Sequence, residues 1–160
     1  MTLALGIDPG TATTGYGLVR LLPDGELVAV SFGIISTPKD AAPPARLAML
    51  YDQLRALLQT HQPDTAAVEK LFFSRNVTTA LAVGQARGVV MLALQQAGIE
   101  TFEYTPNEIK NAVAGYGSAD KRQVQEMVRA LLQLDSLPKP DDAADALAVA
   151  ITHLNTKRYD

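Results

Sequence analysis

The apolar run Leu3-Ala4-Leu5-Gly6-Ile7 stops at Asp8-Pro9-Gly10. A short apolar run bounded by proline and glycine reads as a buried strand, and a strand of this kind requires elements that cover it. Its last residue is a carboxylate, which at the tip of a buried strand needs a partner. The Gly-rich and Thr-rich stretch that follows, Thr11-Ala12-Thr13-Thr14-Gly15-Tyr16-Gly17, leaves room for a charged ligand. Two chemistries fit: a carboxylate that holds a metal ion, or a turn that cradles a nucleotide phosphate. The other acids that the chain brings beside Asp8 decide between them.

Two more strands follow in quick succession, over 15–22 and 26–35, with Pro23-Asp24-Gly25 as the turn between them. The period then changes. Leu47, Leu50, Tyr51, Leu54, Leu57 and Leu58 recur at helical spacing behind Pro43-Pro44. Residues 65–69 form a fourth strand that ends in Glu69 much as the first ends in Asp8. A long helix of small residues spans 77–96 and stops at Gly98, and a fifth strand covers 100–104. Thr105-Pro106-Asn107-Glu108 has the cap, the first-turn proline and the reciprocal acid of a capping box. Gly115-Tyr116-Gly117 ends that helix, Ser118 caps another that runs to about Leu134, and Pro138-Lys139-Pro140 precedes a last helix from Asp141 or Asp142. In this last helix Leu147, Ala150, Ile151 and Leu154 form the apolar stripe. Three meandering strands followed by alternating helices and strands predict an α/β fold: a mixed five-stranded sheet with helices on both faces.

A chain of 160 residues with 48% hydrophobic content suits a single domain, 1–160, with a substantial core. Cysteine is absent, so disulfides and zinc-thiolate sites are excluded. The most apolar window, 81–97, is broken by Gln85 and Arg87, which argues against a membrane segment and for a soluble cytoplasmic protein. The net charge of −3 argues mildly against nucleic acid. Its distribution weakens that objection, because residues 71–99 contain Arg75 and Arg87 and no acid.

Asp142 and Asp145, three apart on a helix, are neighbours on its surface and lie off the apolar stripe. With Asp8 and Glu69 at strand ends, four carboxylates can converge if the last helix packs beside strands one and four. Ionised together at about 4 Å, each pair costs on the order of 4 kcal/mol at an effective dielectric of 20. Two divalent cations would neutralise all four, and a pair of Mg²⁺ or Mn²⁺ ions is the usual clamp for attack on a phosphodiester. Taken singly, Asp142 and Asp145 could cap their helix and favour its dipole, and Glu69 could be a surface acid. The set and its order along the chain outweigh those separate explanations.

That order carries a resemblance. The segments Gly6-Ile7-Asp8-Pro9-Gly10 with Thr14-Gly15-Tyr16-Gly17, Val68-Glu69, Gly84-Gln85-Ala86-Arg87-Gly88 and Asp142-Ala143-Ala144-Asp145-Ala146-Leu147-Ala148 resemble the RuvC family of Holliday junction resolvases over nearly the whole chain. The resemblance implies an RNase H-like fold, a homodimer, and Mg²⁺-dependent symmetrical nicking of four-way DNA junctions in recombination and repair. It makes Asp8, Glu69, Asp142 and Asp145 the catalytic metal ligands. Asp141 stands beside Asp142, and the Asp-Ala-Ala-Asp spacing favours Asp142. Partnership with a branch-migration motor is implied by the resemblance alone.

Phe72 and Phe73 follow Glu69 closely, and such rings can wedge between or stack on unpaired bases; Phe72 is the first choice. Lys121 in the first turn of a helix opposes the dipole, and a phosphate brought there would satisfy both. Lys110 near a helix C-terminus is already explained by its place, but the resemblance gives both lysines contacts with the DNA backbone. Arg75 and Asn76 are weaker DNA-binding candidates. Gly84 and Gly88 on one face of the long helix permit close packing, and the resemblance places a dimer interface there. His61 and His153 have no partner at metal-ligand spacing and read as structural. Rival readings are an RNase H-like nuclease acting on ribosomal RNA and a lobe of an actin-like or sugar-kinase-like ATPase. The latter needs a second lobe, for which the chain has no room, and gives Asp142 and Asp145 no role.

Overall fold

The computed structural model describes residues 1–10, 12–70 and 76–157. The elements follow in the order β1 (Thr2–Asp8), β2 (Thr13–Leu21), β3 (Leu27–Ser36), α1 (Pro43–His61), β4 (Thr65–Glu69), α2 (Val77–Gln96), β5 (Thr101–Tyr104), α3 (Pro106–Ala114), α4 (Lys121–Leu131) and α5 (Asp141–Lys157). The five strands form one mixed sheet in the order β3-β2-β1-β4-β5. The first three make an antiparallel meander, and β4 and β5 add in parallel on the other side of β1. The expected mixed sheet with helices on both faces is what forms.

Side-chain alternation sorts the two faces. Leu3, Leu5 and Ile7 of β1 join Ala66 and Val68 of β4 in a core with Leu50, Leu54 and Leu58 of α1 and with Ala86, Val90, Ala93 and Leu94 of α2. Ala4 and Ala67 face the other way, into a core shared with α3, α4 and α5. β1 is therefore covered twice, as its unbroken apolar run requires.

The two faces differ in one respect that sets the position of α5. On its side the centre of the sheet carries almost no side chain: Gly6 pairs with Gly17 across the β1/β2 ladder, and Asp8 pairs with Gly15. A Cβ at Gly6 would collide with the Ala146 carbonyl and sit 2.6 Å from the Ala150 amide, and one at Gly15 would collide with the Asp142 carbonyl. Helix α5 answers with Ala143, Ala146 and Ala150, all buried. Backbone thus lies nearly on backbone. With α3 and α4 on its outer side, α5 is buried from Ala143 to Leu154 at every residue but Asp145, a wider surface than the four-residue stripe that its sequence suggests.

Local signals fix most of the ends. The capping box of α3 forms between Thr105 and Glu108, and Gly115 closes that helix at φ +88°. Helix α4 departs from expectation: it is capped by Asp120 rather than Ser118, because Asp120 and Gln123 each accept the other's backbone N–H at 2.8 Å. It ends at Leu131 rather than near Leu134, and Gln133 takes a left-handed conformation just beyond it. Lys110 lies mid-way along α3 rather than at its C-terminus.

Buried His153 bridges the layers. Its Nε2 lies 2.7 Å from the Thr65 hydroxyl and its Nδ1 2.8 Å from the Tyr104 hydroxyl, so both ring nitrogens are satisfied within the fold. Burial and the charge of Lys157 hold its pKa down at about 4. This agrees with a structural histidine.

The seating of α5 gives a direct expectation. Gly6→Ala should cost about 3 kcal/mol or more, the upper range for overpacking, read as a lowered urea-unfolding midpoint. An unchanged midpoint would mean that α5 does not rest on this stripe.

Candidate metal centre and nucleic-acid interface

Asp8 ends β1 and Glu69 ends β4, and the parallel register Ile7↔Val68 brings these two ends side by side. By strand alternation both carboxylates share the face of Ala4, Gly6 and Ala67, which is the α5 face. The close approach of α5 at Gly15 then delivers Asp142, and Asp145 one turn on, to the same end of the sheet. One carboxylate oxygen from each of Asp8, Asp142 and Asp145 lies within 4.8 Å of the others. Glu69 stands beside them, close enough that its charge raises the carboxyls of both Asp8 and Asp145. The four predicted acids therefore converge, all half-buried.

Their electrostatics show what such a set demands. Burial first, and the neighbouring Glu69 next, push the Asp8 carboxyl up to about 9. Burial also raises Asp145 to about 6, against the opposing pull of Lys121. Oxygen-only donors at this spacing suit hard divalent cations such as Mg²⁺ or Mn²⁺, and a cation among them would favour the ionised forms that burial and crowding oppose. The donor set fits a metal.

Neighbours separate Asp142 from Asp141. The Thr13 hydroxyl donates to Asp142 Oδ2 at 2.6 Å and aims that carboxylate into the cluster. Asp141 is exposed, accepts from the Gln125 amide at 3.1 Å, and stands outside the trio. Thr13 was not singled out from the sequence. Its only signal there is its place one strand residue ahead of the Thr14-Gly15 pair, and Thr13 belongs to β2 rather than to a ligand-binding turn.

Basic groups ring the acids. Lys121, the first residue of α4, places Nζ 3.5 Å from Asp141 and 3.8 Å from Asp145, and these acids raise its pKa further. It lines one cleft with Lys110, Pro106, Glu69 and Asp145. On the other side of Glu69, a second cleft is lined by Asp8, Pro9, Lys70, Arg87 and Pro106. Lys70 and Arg87 are functional candidates that side-chain chemistry alone did not single out. Asn76 caps α2 by accepting from the Thr79 amide at 3.3 Å, which gives that side chain a local duty. Phe72, Phe73 and Arg75 lie outside the described residues.

Comparison with known proteins agrees with this geometry. The family described as "Crossover junction endodeoxyribonuclease RuvC" matches residues 4–153. The Chloroflexus aggregans protein of that name is 61% identical over 153 residues, covering 96% of this chain and 93% of its own. The one from Desulfitobacterium hafniense is 55% identical over 154 residues, covering 96% and 93%. Among solved structures, T. thermophilus RuvC in complex with a Holliday junction substrate superposes with a TM-score of 0.94 at 33% identity, over 99% of this chain and 96% of that one. The yeast mitochondrial Holliday junction resolvase Ydc2, with a TM-score of 0.70 and 14% identity over 98% and 80% of the two chains, shares the fold. On sequence and architecture together, the chain belongs to the RuvC family of crossover junction endodeoxyribonucleases.

Proposed function

We propose that this protein is a metal-dependent endonuclease that resolves four-way DNA junctions by paired, symmetrical nicks in recombination and repair. The observation that carries the reading is the convergence of Asp8, Glu69, Asp142 and Asp145 at one end of the sheet, between two clefts that carry lysines. The T. thermophilus relative, of nearly identical architecture, is bound to a Holliday junction. That likeness supports the choice of a DNA junction over the RNA-processing and ATPase readings.

Asp8, Glu69, Asp142 and Asp145 are the residues that would hold Mg²⁺ or Mn²⁺, and two ions match their charge. When bound, such a pair supplies an activated water and stabilises the leaving oxygen of the phosphodiester. The chain's own contributions are distinct. Thr13 orients Asp142, and burial on the glycine stripe fixes the bearing of α5. Lys110 and Lys121 present positive charge where the strand's phosphates meet the acids, with the N-terminus of α4 adding its dipole. Phe72 is assigned to the unpaired bases at the crossover, with Phe73, Arg75 and Asn76 as accessory contacts.

The two symmetrical cuts imply two active sites related by a two-fold axis. Helix α2 supports a dimer interface: Val77, Leu81 and Leu92 are more than half exposed on it, and a Cβ at Gly88 would meet nothing within the protomer. This helix is long and apolar enough to cross a membrane by length and composition. Its inner side, however, packs Ala86, Val90, Ala93 and Leu94 on the sheet, and Arg87 pairs with Glu103. A second protomer of a soluble, cytoplasmic protein is the fitting cover for its outer side.

The deciding assay incubates the protein with a labelled four-way junction, a linear duplex and an RNA/DNA hybrid, each with Mg²⁺ or Mn²⁺. Cleavage confined to the junction is expected, and preferential cutting of the hybrid would overturn the assignment. Asp8→Asn should slow junction cleavage by at least about 100-fold, since even outer-shell changes at metal sites cost 10- to 100-fold. Junction binding should persist or tighten, because a negative charge near phosphate is lost. Normal cutting by this variant would refute the metal assignment.

The raised carboxyls set a pH dependence. Because Asp8 and Asp145 hold protons in the folded protein above their ordinary value of 3.8, their contribution to stability is complete below about 4. It is lost as pH rises through about 6 for Asp145 and about 9 for Asp8. The metal-free protein should therefore melt at lower temperature at pH 8 than at pH 5, and Mg²⁺ or Mn²⁺ should restore more at pH 8. Equal metal-induced shifts at both pH values would contradict the arrangement. Lys121→Ala should weaken junction binding and reduce the slope of log affinity against log salt by roughly one; an unchanged slope would return Lys121 to the ordinary surface.

A further inference from the structure

At the end of β4, the backbone that carries Glu69 leaves the sheet under unusual conditions. The pairing of β1 with β4 ends at Ile7↔Val68, and the residue after Asp8 is Pro9, which has no N–H to donate. On the other side, the last bond from β4 to β5 runs from the Lys70 amide to the Tyr104 carbonyl at 2.7 Å, and the chain continues through Thr105 into Pro106, a second residue with no N–H. The β1 ladder therefore stops short of the Glu69 carbonyl, and the β5 ladder stops at Lys70.

Arg87 fills that position from outside the sheet. Its Nη1 donates to the Glu69 carbonyl at 2.9 Å, and its Nη2 lies 2.5 Å from Glu103 Oε1. The side chain is only 14% exposed and lines the cleft with Asp8, Pro9, Glu69, Lys70 and Pro106. A guanidinium is a rigid fork that can satisfy a carbonyl with one nitrogen and a carboxylate with another. The fork ties three elements together: α2, which bears it, β4 through Glu69, and β5 through Glu103.

We infer that Arg87 is a positioning residue for Glu69: held by Glu103, its guanidinium replaces the ladder N–H that Pro9 cannot supply, and so keeps the Glu69 carboxylate beside Asp8. This rests on the metal-dependent nuclease reading. Arg87 acts on the backbone of Glu69 and need not touch the reacting phosphate. A lysine would keep the positive charge but lose the fork, so the two possible roles of Arg87, positioning and phosphate contact, separate experimentally.

The test compares the full-length wild-type protein with Arg87→Lys and Glu103→Gln. Mn²⁺ binding is measured without DNA by the electron paramagnetic resonance signal of free Mn²⁺, junction affinity in chelator, and single-turnover junction cleavage across a Mn²⁺ series. Arg87→Lys should bind Mn²⁺ about 10- to 100-fold more weakly, as outer-shell changes do. Its cleavage should fall by a similar factor at low Mn²⁺ and recover as Mn²⁺ is raised, with junction affinity within about twofold of wild type, as expected when charge is kept. Glu103→Gln keeps the guanidinium and removes its orienting charge, so it should shift Mn²⁺ affinity the same way by less, and it serves alone if Arg87→Lys does not fold. Unchanged Mn²⁺ affinity in the folded variants overturns the positioning role, and lost junction affinity with intact Mn²⁺ binding makes Arg87 a phosphate contact instead. A wild-type protein that neither binds Mn²⁺ nor cuts the junction would refute the nuclease reading itself, an outcome distinct from either.

Discussion

The contact of α5 with the bare centre of the sheet governs the rest of the molecule. Gly6 and Gly15 remove side chains where Ala143, Ala146 and Ala150 come down, and Gly17 does so beneath Leu147, so a helix packs on strands at nearly backbone distance. Two of the four acids ride on that helix and two on the strands beneath it. A sheet face with larger residues would hold α5 further off and carry Asp142 and Asp145 away from Asp8. The same glycines that weaken strand propensity therefore bring the acids together. The fold accepts that cost because β1 is held on both edges, by β2 and by β4.

Bringing acids together works against folding. With Asp8 raised to about 9 and Asp145 to about 6, the apo cluster is relieved by shared protons and by the nearby ammonium of Lys121. A protein that places four carboxylates in a partly buried site is more stable with a cation there, by mass action on the folded state. The charge of the chain fits this view. Setting those four acids aside, the net charge of −3 becomes +1, so the acidity that argues against a DNA-binding protein belongs largely to the site that would face the DNA.

Much of this was legible in the sequence, for physical reasons that differ by element. The strand-end positions of Asp8 and Glu69 followed from where apolar runs stop, and α2 matched its expected span of 77–96 because no proline or glycine cap interrupts it earlier. The capping box at Thr105 and Glu108 formed as its residues predict. Less legible was anything that depends on which faces meet. The glycines of the 11–17 stretch fit both a strand and room for a charged ligand, because a glycine that admits a helix and one that admits a phosphate leave the same trace in sequence. The stripe on α5 was read too narrowly, since beyond Asp145 the helix is buried on every side to Leu154 and has no polar face there to reveal its orientation. Ser118 lost its capping role to Asp120 because Gln123 reciprocates with Asp120, a competition that only the backbone geometry decides. The choice between Asp141 and Asp142 rested on spacing until Thr13 and Gln125 showed where each carboxylate is held.

The prolines at positions 9 and 106 bring these strands of argument together. Each ends a ladder beside an acid, and each leaves the sheet open there so that a substrate can approach the carboxylates from the edge of the strands. Opening a sheet at its catalytic end sacrifices the hydrogen bonds that would otherwise fix those residues, and a loosely held carboxylate makes a poor metal ligand. The Arg87 fork resolves that conflict by supplying a donor from α2, out of the path of the strands. α2 also turns Val77, Leu81, Gly88 and Leu92 outward, so the helix that would steady Glu69 is also the one proposed to meet a second copy. In the proposed dimer, any shift of α2 would then be felt at Glu69 through Arg87, and assembly would bear on the geometry of the acids through a single side chain.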